Sequence, residues 1–145
     1  MSKKILLINN VIIPMIVGGF IYIFFRESSL LMFKWFDFLN IYDLIFYVRE
    51  EYLFNIYIPI WISNNLPDGI WIYSLTSLMI IIWSNHQAKS KYFWISMGPF
   101  LGLSAEVGQF FNIVSGTFDV IDFLFCIIGS VLPFIFLYKK EKYTV

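Results

Sequence analysis

Apolar residues in this chain run in stretches too long for a soluble fold. Crossing the hydrocarbon of a bilayer takes about 20 residues at about 1.5 Å each, and residues 5–25, 66–84, 92–112 and 122–138 have the length and apolar content to do so. The first is broken in polarity only by Asn9 and Asn10, with Pro14 expected to kink it and Gly18 and Gly19 expected to allow a close helix neighbour. The second opens with Leu66, Pro67, Asp68 and Gly69, where proline suits a first helical turn because its missing N–H has no partner there. Residues 28–60 follow a different pattern. Large apolar side chains such as Phe33, Trp35, Phe36 and Leu44 alternate with Lys34, Asp37, Asn40 and Asp43, whose spacing of three sets a narrow polar stripe. That pattern predicts helices lying in the membrane interface, and the apolar run from Tyr52 to Ile62, too short to cross and containing Pro59, is expected to be interfacial or re-entrant. The predicted fold is an all-α, polytopic membrane helical bundle: four transmembrane helices, with interfacial helices between the first and second, in one domain spanning residues 1–145.

Composition supports lipid as the solvent. The chain is 59% hydrophobic and 14% charged, against about 45–50% and about 25% in soluble domains. Ser2, Lys3 and Lys4 precede the first apolar run much as in a secretory signal. The run is longer than a signal core and no small-residue cleavage site follows, so it is read as a retained helix. Lys3 and Lys4, Lys89 and Lys91, and Lys139, Lys140 and Lys142 fall on one side of a four-helix arrangement. The positive-inside rule then predicts a multi-pass protein of the cytoplasmic (inner) membrane with both termini cytoplasmic. Trp61, Trp83, Trp94 and Tyr138 fall near the predicted helix ends, at headgroup level.

Charge and chemistry narrow the function by exclusion. Lys plus Arg and Asp plus Glu are equal at 10 each, which gives no basis for a nucleic-acid partner. With one cysteine, Cys126, and one histidine, His86, no metal site and no disulfide is expected, and no motif implies a cofactor. His86, in a loop of polar residues, is read as solvated. The informative residues are polar ones inside or beside the apolar runs. Glu106 falls within the third run and Gln109 follows on the same helical face. A carboxylate at such a depth costs about 2.5–3.5 kcal/mol on insertion scales, so it needs company. Asp119 and Asp122 come where the chain re-enters the membrane. With Asp68 and Arg26 they share one leaflet under the predicted orientation, making Arg26, Asp68, Glu106, Gln109, Asp119 and Asp122 the candidate binding residues. Such a cluster suits a proton-sharing carboxylate pair or hydrogen bonding to a sugar, peptide or lipid headgroup, and Arg26 or Arg49 suits clamping a phosphate or neutralising an acid. Structural roles stand beside these. Asp119 and Asp122 also fit a helix cap, Asp68 fits a helix N-terminus, and Glu106 with Gln109 fits interhelical hydrogen bonding. Gly98, Gly102 and Gly108 fit helix packing.

The carboxyl-terminal half resembles the VanZ-like family of bacterial membrane proteins. The resemblance covers roughly residues 66 to 138 and is carried by Glu106, Gln109, Gly116, Asp119, Asp122 and Gly129. Thr117 stands where that pattern has arginine, Cys126 where it has asparagine, and Asp68-Gly69-Ile70-Trp71-Ile72 where it has a lysine and a histidine after the aspartate. The resemblance implies a cell-envelope protein, and the acids and amide gathered on one leaflet suggest an outer polar pocket that takes membrane lipid or a lipid-linked envelope component as partner. An intramembrane carboxylate-dependent hydrolase or transferase, and a small packing or assembly subunit, are the alternatives.

Overall fold

The structure, a computed structural model, describes residues 2–53, 55–83 and 85–138. Among them all regular structure is helical. The first helix, α1 (Lys3–Phe25), is followed by two short ones, α2 (Leu31–Phe38) and α3 (Tyr42–Val48). Then come α4 (Ile60–Asn64), α5 (Leu66–Trp83), α6 (Ser90–Phe110) and α7 (Val120–Pro133). Three stretches are long and apolar enough to cross a membrane: Lys3–Phe25, Ile60–Trp83, which joins α4 to α5, and Val120–Leu137. The fourth predicted span, α6, has the length at 21 residues. It falls outside that set, because Ser90, Lys91, Ser96, Ser104, Glu106 and Gln109 dilute its apolar content.

Proline shapes two of these helices. Pro14 has no N–H to give Asn10 and its ring crowds that carbonyl, and directly before it, at Ile8–Ile12, α1 widens into a π-helical turn instead of simply kinking. Another π-helical turn, Phe134–Tyr138, follows Pro133 and extends α7. The widened turn of α1 is tied inward: the Tyr73 hydroxyl donates to Asn10 Oδ1 at 2.6 Å, and Asn10 Nδ2 donates to the Leu6 carbonyl at 3.0 Å.

Helix α5 is the axis on which α1, α6 and α7 pack. Its buried positions include Gly69, Ser74, Thr76 and Ser77, small residues that bring backbones together. A Cβ on Gly129 of α7 would run into the Gly69 carbonyl oxygen, and one on Gly98 of α6 into the Thr76 hydroxyl. Gly18 faces Trp71, whereas Gly19 faces open space, so only the first of the pair serves packing. Gly102 packs on Ile72, but Gly108 abuts Val114 of its own turn.

The outward surface is apolar. Ile16, Phe20, Phe100, Leu124 and Ile128 are among the exposed large side chains on the long helices, the reverse of the soluble arrangement. Inside, Val11, Ile80, Ile81, Ile95 and Leu137 form one cluster, with Leu6, Leu7 and Trp83 against it. Trp83 stacks on Trp94 at 5.6 Å beside this cluster, and His86, exposed, lies 5.0 Å from the Trp83 ring. The cluster joins the start of α1, the end of α5, the start of α6 and the end of α7. The chain therefore runs up and down along the bundle, with Lys3, Lys4, Lys89 and Lys91 at this end; Lys139, Lys140 and Lys142 lie outside the described residues.

Candidate functional site

At the opposite end, the carboxyl end of α1 is held by two arginines. Arg26 lies over the Tyr22 ring, its Cζ 4.7 Å from the centroid, and its Nη1 meets Asp68 Oδ2 at 3.4 Å. One of the acids thus has a cation. Arg49 instead donates from Nη2 to the Arg26 carbonyl at 2.6 Å, satisfying an oxygen that a helix end leaves without an internal partner. Its guanidinium also lies over Phe33, 5.3 Å from the centroid, and this fastens the segment carrying α2 and α3 onto α1. Burial lowers the pKa of Arg49 from its ordinary value, with Tyr42 acting in the opposite sense.

Between α6 and α7 the chain reverses in a few residues. Asn112 adopts a left-handed conformation (φ 55°), with its N–H on the Gln109 carbonyl at 3.0 Å and the Ile113 N–H on the Gly108 carbonyl at 2.8 Å. Those two bonds form the Schellman pattern that closes a helix. Gly116 has φ 135°, a conformation that side chains rarely adopt, and the Gln109 side chain lies against it. Asp119 then caps α7: its Oδ1 accepts the Ile121 N–H at 2.8 Å while its Oδ2 accepts Asn65 Nδ2 at 3.2 Å. Asn65 also engages Asp122, so this one amide links both aspartates to the junction of α4 and α5.

Glu106, four residues before the end of α6, is only 7% exposed. The Asp119 backbone N–H interacts with its carboxyl group, yet Glu106 Oε2 is buried without a hydrogen-bond partner, and so is Asp122 Oδ1. Both face a cavity of about 640 Å³, lined by Arg26, Asp68, Glu106, Gln109, Asp119 and Asp122 together. Every candidate from the sequence reaches this one space, which falls within the range of about 300–1,000 Å³ typical of ligand pockets. Tyr22, Asn64, Asn65, Trp71, Thr117 and Cys126 line it as well. Of these, the Asn64-Asn65 pair stands between an apolar run and the Leu66-Pro67 helix start, where amides are too common to single out. Trp71 and Tyr22, whose rings lie 5.1 Å apart, read as ordinary apolar positions in a span.

The cavity wall is rich in acceptors and poor in cations, four carboxylates facing one guanidinium. Among the described residues no three acidic, histidine or cysteine side chains converge closely enough to hold a metal ion. No family model, curated protein or solved structure matches this chain.

Proposed function

We propose that this chain is a VanZ-like integral membrane protein of the bacterial cell envelope, crossing the inner membrane four times with both termini cytoplasmic, and that its polar cavity binds the headgroup of an envelope lipid, sugar or peptide. Three apolar helices of spanning length support the membrane setting. Helix α6 joins them as the fourth span: it packs on α5 and α7, and its polar residues Glu106 and Gln109 face the cavity rather than the outer surface. The lysine-bearing end supports the cytoplasmic side, and the cavity then opens in the outer leaflet. Helices α2 and α3 lie in the interface beside it, their exposed Trp35, Phe38 and Leu44 at headgroup depth.

One observation carries the binding role. A carboxylate oxygen of a residue only 7% exposed lines a ligand-sized space without a partner. A group left that way is costly, and an arriving donor that bonds it recovers the cost. The test is native mass spectrometry of the full chain released from bacterial membranes. The expected result is a retained small or lipid-linked molecule on the unaltered protein, lost from Glu106→Gln and Asp122→Asn proteins that keep the same helical content. A chain that retains nothing, or variants that retain the same mass equally well, would refute the reading.

A further inference from the structure

The chemistry of the wall selects among headgroups. Carboxylates accept hydrogen bonds and donate none when ionised, so the unpartnered Glu106 Oε2 and Asp122 Oδ1 call for donors from the occupant. Glu106 and Asp122 line the same cavity, each with a buried oxygen that lacks a partner, so a single cationic group there serves both acids. Among the described residues no three acidic, histidine or cysteine side chains are grouped to hold a metal ion, and a purely anionic group meets three acids with which Arg26 forms no ion pair. Arg26, for its part, offers five N–H donors and directs one nitrogen at Asp68 over 3.4 Å, leaving donors for an anion at the rim.

We propose that the occupant carries a primary ammonium group, received by Glu106 Oε2 and Asp122 Oδ1, with an adjacent phosphate held at Arg26, the pattern of a phosphoethanolamine headgroup. This inference rests on the headgroup-binding reading above. An ammonium presents three donors around a compact charge, so it bonds two acids at once, whereas a trimethylated nitrogen of the same charge has no N–H to give.

That contrast provides the test on the unaltered protein. Trp71 lines the cavity, and tryptophan fluorescence of the full chain in detergent reports occupancy. Dihexanoyl phosphatidylethanolamine, phosphatidylcholine and phosphatidylglycerol are titrated in turn, with free ethanolamine as a fourth arm. The expected result is saturable binding of the ethanolamine lipid at least tenfold tighter than of the choline lipid, and a loss of at least tenfold in Glu106→Gln. Free ethanolamine binding as tightly as its lipid supports the same chemistry and identifies a water-borne amine as the source. Equal binding of the choline lipid, or preference for the glycerol lipid, overturns the ammonium assignment while leaving the headgroup pocket intact. Absence of saturable binding by all four probes overturns the ammonium assignment, and the retained-molecule experiment then judges the pocket separately.

Discussion

Single residues at the turn between α6 and α7 separate structural from binding roles. Asp119 spends one oxygen on the Ile121 N–H and the other on Asn65. Asparagine caps a helix about as well as aspartate, whereas alanine loses about 1 kcal/mol. Asp119→Ala, which loses both bonds, is therefore expected to lower the thermal unfolding midpoint in detergent more than Asp119→Asn, which keeps the cap but sets an amide NH2 against Asn65 Nδ2; equal losses would show that the Asn65 bond or the charge, not the cap, matters. Gly116→Ala places a Cβ at φ 135° and 2.6 Å from Gln109 Nε2. Backbone conformations of that kind cost about 1–3 kcal/mol, so the same measurement should show a larger loss than for Asp119→Ala. Asp119 was legible as a cap because its residue type and its place before an apolar run both favour one. Glu106 was legible because an acid within an apolar run is costly to insert. Asn65 was not, since an amide beside a helix start is commonplace and only the fold brings it to Asp119 and Asp122. The partner of Arg26 was likewise a matter of three-dimensional placement, with Asp68 lying 42 positions along the chain.

At the scale of helices, apolar length foretold three of the helices of spanning length among the described residues, and their boundaries shifted for local reasons. The second span begins at Ile60 rather than Leu66, because Pro59 sits before a short helix that leads into α5 through Asn65. Pro14 does not end or sharply break α1; the π-helical turn at Ile8–Ile12 takes up the mismatch, and the Asn10–Tyr73 bond anchors it. Removing that anchor with Tyr73→Phe should lower stability by about 0.6 kcal/mol, the average for side-chain hydrogen bonds between membrane helices. A denaturation titration in mixed micelles measures it, and an unchanged midpoint would show that the bond adds nothing. Gly129→Val should be far more damaging, since the added side chain meets the Gly69 backbone rather than a movable group. Its expected signature is loss of the folded, monodisperse species on size-exclusion chromatography.

The whole molecule has two unlike ends. With Cys126→Ala as background, a cysteine placed at Ala88 should react with a membrane-impermeant thiol reagent only after cells are opened, and one placed at Ser115 should react in intact cells. Both positions are exposed on the described chain, so the reverse pattern would invert the proposed orientation and place the cavity on the cytoplasmic side. The unlike ends also differ mechanically. Around Val11, Ile80, Ile81, Ile95 and Leu137 the bundle is filled with side chains, while the other end encloses about 640 Å³ of space. One end of the bundle is thus solid and the other hollow. Amide hydrogens near Ile80 and Ile95 should exchange more slowly than those near Glu106, because a packed end opens less often than one that borders a cavity.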